Sequence, residues 1–157
     1  MAILAGPWVG GVTGLLSISI NSIADPSLFP YAIIAGVLGL VIGLMARKKM
    51  FTDVKRFIAS GIIVSLIAVA MSVIIAYVFF GGFDTSGNSI MAGAMISAGI
   101  PFWPAQILSN FISEVPDKFI SLLVPYLVVK GMSDRYLYKF SNGPVFIEAR
   151  KEQKGRK

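Results

Sequence analysis

The spacing of its charges restricts this chain more than any other feature. Residues 1–24 carry none, nor do 26–46 between Asp25 and Arg47, 57–83 between Arg56 and Asp84, or 85–113 between Asp84 and Glu114. A membrane-spanning helix needs about 20 mostly apolar residues, and each of these runs approaches or exceeds that length. Only 14% of the chain is charged, against about 25% in an ordinary soluble domain, while 55% is hydrophobic. That balance excludes disorder, which needs the opposite composition. It also argues against a soluble fold, because a small domain leaves about a third of its surface facing water. The expected fold is all-α: a polytopic transmembrane helix bundle with about four full spans plus a short outer-face segment. Residues 1–140 form one transmembrane domain and 141–157 a basic cytoplasmic tail.

The signs of the charges suggest an orientation. Every Lys and Arg except Lys118 falls in one of two patches, Arg47–Arg56 and Lys130–Lys157, whereas Asp25 and Asp84 stand alone in the intervening loops. Basic residues near span ends stay cytoplasmic. Both patches are therefore placed inside, the C-terminus included, and Asp25 and Asp84 outside. On this reading the net charge of +6 is a topology signal and not a nucleic-acid surface. No basic region precedes the first apolar run, which argues against a secretory signal.

Local signals divide the runs. Pro7 suits a first helical position, and a helix over about Val9 to Ile23 is expected. Thr52 or Asp53 can cap a helix over 54–80, and Asn88 or Ser89 the next segment. Pro101 and Pro104 break residues 88–104, leaving a last helix from about Ala105 to Lys130 that closes at Gly131. The tail from Ser141 is polar and expected to fray.

The last helix carries the most information. Gln106, Asn110, Glu114, Asp117 and Ser121 fall on one face at spacings of three and four, and Lys118 follows Glu114 in the favourable ion-pair order. At 1.5 Å per residue Glu114 lies ~24 Å and Lys118 ~18 Å above Lys130, a depth at which lipid-facing charge costs about 2.5–3.5 kcal/mol each. Two readings stand: a polar lock between helices, or a wall facing a ligand. A second stripe, Thr13, Ser17 and Asn21, leads to Asp25 and carries the same pair of readings. Ala35, Gly39 and Gly43 are small residues at every fourth position, as are Gly61, Ser65, Ala68, Ser72 and Ala76, which suits close helix packing. Aromatics gather at Phe29 and Tyr31, around 77–83 and at Phe102 and Trp103, either as an interfacial belt or as cover for a flat ligand. The candidate substrate-binding residues are Asn21, Asp25, Trp103, Asn110, Glu114 and Asp117.

The chain contains no His or Cys, which removes imidazole acid–base chemistry, thiol nucleophiles and Cys/His metal sites. No nucleotide-binding loop of known spacing is present. No catalytic residue, metal ligand or cofactor is therefore assigned, and an enzyme is not expected.

One ordered set of motifs remains: Gly6-Pro7-Trp8-Val9-Gly10, then Asp25-Pro26 and Phe29-Pro30-Tyr31-Ala32-Ile33-Ile34, then Gly43-Leu44-Met45-Ala46-Arg47-Lys48-Lys49. It continues with Glu114-Val115-Pro116-Asp117-Lys118-Phe119-Ile120-Ser121 and ends at Tyr126-Leu127-Val128-Val129-Lys130. Over most of residues 5–135 this order resembles the S component of energy-coupling factor (ECF) vitamin transporters, in the riboflavin-type group. The resemblance implies six helices in the plasma membrane of a prokaryote, with both ends cytoplasmic. It further implies a vitamin-like small molecule captured near the outer face of the lipid bilayer, and uptake powered by a transmembrane T component and two ATPase subunits. The chain would then lack the family's N-terminal helix or helices. The alternative from another class is a membrane-embedded ligand-sensing or structural domain of a signalling system.

Overall fold

A computed structural model describes residues 2–83 and 86–154. Asp84, placed outside by the charge argument, lies outside the described residues. Every regular element among them is helical: α1 (Ala2–Ala5), α2 (Pro7–Asn21), a 3₁₀ turn at Pro26–Leu28, α3 (Tyr31–Arg47), α4 (Val54–Phe80), α5 (Gly87–Ser97), α6 (Phe102–Gly131), α7 (Asp134–Leu137) and α8 (Gly143–Lys154).

The element ends follow local chemistry. Pro7 opens α2 without forfeiting a hydrogen bond, since first-turn N–H groups are unpaired anyway. The Asp53 carboxylate accepts from the Val54 N–H at 2.9 Å and starts α4. α4 stops where Gly81 turns left-handed at φ 64°, while Gly81 N–H bonds Tyr77 O and Gly82 N–H bonds Ala76 O, a glycine closure of the last carbonyls. Pro101 precedes α6, Pro104 sits in its first turn, and Pro116 and Pro125 lie within it. The break expected before Ala105 therefore falls three residues earlier, because a proline in the first turn costs no bond.

Two seams organise the bundle. α2 lies against α3 at backbone contact: a Cβ on Gly39 would stand 2.2 Å from Gly10 O, one on Gly14 2.3 Å from Ala35 O, and one on Gly43 2.3 Å from Pro7 Cα. α4 packs on α6 through the small stripe, with Gly61 beneath the Phe119 ring and Ser65, Ala68, Ser72 and Ala76 buried. The core runs along both seams, from Leu38 and Met45 through Phe57 and Val64 to Leu122 and Val129. The tail joins it. Leu137 and Phe146 are buried there, Asn142 Nδ2 donates to Ile3 O at 3.0 Å, and Arg150 donates to Val129 O, Lys130 O and Met132 O. The fraying expected from Ser141 onward does not occur over α8, because Arg150 satisfies carbonyls that the end of α6 leaves open.

The expectation of four full spans is corrected. Among the described residues one helix, Val54–Phe80, is long and apolar enough to cross a membrane, and 44% of its most apolar stretch is buried inside the bundle. α2 and α3, with 15 and 17 residues, rise only ~22 and ~26 Å against a hydrocarbon core of ~30 Å. α6 is long enough but carries Glu114, Asp117, Lys118, Lys130 and two internal prolines. The parity that placed Asp25 outside, the basic patches inside and the C-terminus in the cytoplasm of a prokaryotic cell rested on four crossings, and it falls with them. Part of the basic clustering has a local cause: Lys49 pairs with Glu148 at 3.5 Å and Glu152 at 2.9 Å, and Arg150 with Asp134 at 2.7 Å. Those charges pin the tail to the rest of the chain.

Candidate functional site

A cavity of about 340 Å³ opens where the 3₁₀ turn and α3, α4, α5 and α6 meet. Its described lining is Asp25, Ser27, Leu28, Tyr31, Ser72, Ala76, Ser86, Asn88, Ser89, Gln106, Asn110 and Glu114. Three of the six residues singled out in the sequence, Asp25, Asn110 and Glu114, are thus brought to one place.

Each arrives by a different route. The backbone N–H groups of Ala24 and Asp25 both bond Asn21 O, closing the turn after α2. The Asp25 carboxylate then accepts from Ser27 N at 3.0 Å and Ser27 Oγ at 2.6 Å and starts the 3₁₀ turn. On α6 the four-residue repeat of Gln106, Asn110 and Glu114 faces α4 and α5. Gln106, 2% exposed, donates through Nε2 to Gly82 O. Asn110, 4% exposed, donates through Nδ2 to Gln106 O at 2.9 Å and accepts from Asn88 Nδ2 at 3.1 Å. Glu114 Oε1 accepts from Ser72 Oγ at 3.2 Å, which joins α6 to the small stripe of α4.

Lys118 Nζ stands 2.7 Å from Glu114 Oε2 and donates to Asp117 Oδ2 at 2.7 Å. Glu114 Oε2 is buried, and the Lys118 ammonium at 2.7 Å is its close polar neighbour. Burial pushes the Lys118 ammonium down, but the carboxylates of Asp117 and Glu114 outweigh it and hold the group above its ordinary 10.5. The spacing argument for the Glu114–Lys118 pair thus matches the geometry.

The other three candidates lie elsewhere. Asn21 ends α2 with its side chain exposed and contributes only its carbonyl to the turn that presents Asp25. Asp117 shares the α6 face but sits nearly a turn beyond Glu114, with 62% of its side chain exposed. Trp103 packs against Tyr77 at 5.1 Å and Phe102 at 5.6 Å, away from the cavity. Of the aromatics, only Tyr31, stacked on Phe80 at 6.1 Å, reaches the described lining. The Thr13, Ser17 and Asn21 stripe faces outward, neither bonding between helices nor meeting the cavity. Asn88 and Ser89, expected as caps, lie inside α5, whose cap position is Ser86, and both belong to the lining. Among the described residues no group of three or more Asp and Glu side chains could hold a metal ion.

Comparison with known proteins corrects the family reading. No protein-family model, no curated protein and no solved structure matches this chain. The motifs that resembled an ECF S component are short and rich in Gly, Pro and aliphatic residues, which recur wherever apolar helices meet tight turns. With no family match and, among the described residues, one helix both long and apolar enough to cross a membrane, the assignment to the riboflavin-type group does not stand. Nor do vitamin capture for ATP-driven import, the T component, the two ATPases and the bilayer as partners, or the alternative of a membrane-embedded sensing or structural domain. What stands, among the described residues, is an all-α bundle with a cavity whose lining includes two carboxylates and several amides and hydroxyls.

Proposed function

We propose that this chain is a helical binding protein for a small organic molecule, held between the 3₁₀ turn and α3–α6, and that it acts by binding and not by catalysis. One observation carries the reading. Ten of the twelve described lining residues are polar, drawn from sites up to 89 positions apart, and they converge on about 340 Å³ of space. That volume lies in the range of ligand sites, about 300–1,000 Å³. Polar side chains are costly to gather away from water unless hydrogen-bonded, and here a chain of bonds runs from Gly82 through Gln106, Asn110 and Asn88, with a separate link from Glu114 to Ser72. A network of that kind holds its members in fixed rotamers, which is what a preorganised site requires.

The test is a ligand-observed NMR screen with a fragment library of mixed charge. Hits should be lost or weakened in Asn88→Ala and in Ser72→Val, each checked for an intact thermal melt. A library with no hit sensitive to either variant would sink the proposal.

A further inference from the structure

We infer that the ligand this cavity accepts is an organic cation, a small molecule bearing an ammonium or amidinium group. The inference rests on the binding reading above and goes on to the chemistry of the occupant. Two carboxylates, Asp25 and Glu114, stand in the lining, and the described lining contains no Lys or Arg. This occurs in a chain whose net charge is +6, so the acidity of the cavity runs against the composition around it.

The hydrogen-bond inventory points the same way. Five side-chain donors of the lining are directed at protein acceptors: Ser27 Oγ to Asp25 Oδ1, Ser72 Oγ to Glu114 Oε1, Asn88 Nδ2 to Asn110 Oδ1, Asn110 Nδ2 to Gln106 O, and Gln106 Nε2 to Gly82 O. A carboxylate has room for about four hydrogen bonds. Glu114 receives one from Ser72 at Oε1, while its buried Oε2 is engaged by the Lys118 ammonium, so Oε1 keeps capacity for a further donor. Lys118 divides its charge between Glu114 and Asp117, so Lys118, Glu114, Asp117 and Asp25 together remain negative. The charge of the wall is thus negative while the amide donors of Asn88, Gln106 and Asn110 are engaged within the protein. A ligand that supplies N–H donors and positive charge complements such a wall, whereas an anion would meet like charge. The Tyr31 ring adds an aromatic surface of the type that organic cations favour.

The experiment compares three probes of one shape: phenethylammonium, 2-phenylethanol and 3-phenylpropionate, titrated against the full chain at neutral pH. The ammonium should bind about tenfold or more tightly than the alcohol, the scale of one charge-assisted hydrogen bond, and the carboxylate more weakly than the alcohol. In Asp25→Asn combined with Glu114→Gln and Lys118→Met, which removes charge without stranding Lys118, the ammonium-to-alcohol ratio should fall toward one; circular dichroism checks the fold. If the alcohol or the propionate matches the ammonium and maps to the cavity, the cation inference is overturned while the binding reading stands. If all three fail, the fragment library decides: hits confined to ammonium or amidinium compounds uphold the inference, neutral or anionic hits overturn it alone, and no hits overturn both.

Discussion

The α2–α3 seam offers the sharpest test of the packing. In Gly39→Ala the new methyl carbon would meet Gly10 O at 2.2 Å, Gly10 C at 2.5 Å and Gly11 N at 2.9 Å. All three are backbone atoms of α2, so no side chain can rotate away. Restoring ordinary contact requires the helices to part by about 1 Å, and a gap of that size forfeits a quarter to a half of each van der Waals well it opens. The loss extends along the seam, because Gly14 against Ala35 and Gly43 against Pro7 are set at the same closeness. Overpacking costs about 1–3 kcal/mol, and rigid backbone on the far side places this case near the top. Alanine recovers about 1 kcal/mol of helix propensity, which leaves a net destabilisation of about 2 kcal/mol, roughly 30-fold in the folding equilibrium. The control is Gly131→Ala at the end of α6, where a Cβ meets nothing within 4 Å; it should be neutral or stabilising by up to about 1 kcal/mol. Urea denaturation followed by circular dichroism measures both. Gly39→Ala as stable as wild type, in step with Gly131→Ala, would refute the argument that the two backbones touch.

The two halves of the Glu114–Lys118 pair should respond unequally. Lys118→Met strands a carboxylate that is only 16% exposed and should cost about 3 kcal/mol, whereas Glu114→Gln leaves Lys118 paired with Asp117 and should cost about 1 kcal/mol; equal losses in urea denaturation would contradict this. Because Lys118 titrates above 10.5 in the folded chain, its stabilisation is complete below 10.5 and is lost as pH rises through that higher folded value. Melting temperature should therefore fall in strongly alkaline buffer, and less so in Lys118→Met. Arg150→Met removes donors from three α6-end carbonyls and from Asp134; it should cost about 1.5–3 kcal/mol and abolish amide-exchange protection across Gly143–Lys154, and protection retained there would show that α8 is held by its apolar contacts alone.

How far the sequence could be read depended on the range of the interaction. The helix over 54–80 was legible, because Asp53 is a local start signal and no proline interrupts the apolar run that follows. The four-residue repeat Gln106, Asn110, Glu114 was legible for the same reason, as was the Lys118 partner one turn on. Reading charge-free runs as spans failed, because the absence of charge is not the presence of a helix: Gly6 and Pro7 split residues 1–24 into α1 and α2, and Pro26 and Pro30 take a turn out of 26–46. Asp117 shares the α6 face but lies outside the described cavity lining, because helical period gives the direction of a side chain around the axis and not its depth along it.

The burial pattern of α4 shows a different kind of silence. Its apolar residues are distributed all round, so composition could not say that Val64, Ala68 and Ile75 face the core while Ile58, Ile62, Leu66 and Ile74 remain exposed. By itself, then, the sequence determined helical character, most helix ends, the small-residue stripes that allow backbones to touch, and the polar face of α6. Only the tertiary structure decided that Asp25 and Asn88 come to Asn110 and Glu114, that α8 returns to close the end of α6, and that a cavity lies between them. Dihedral preferences, caps and helical periods act over a few residues and can be read from them. A cavity is the space left after distant helices have packed, and no stretch of the chain contains it.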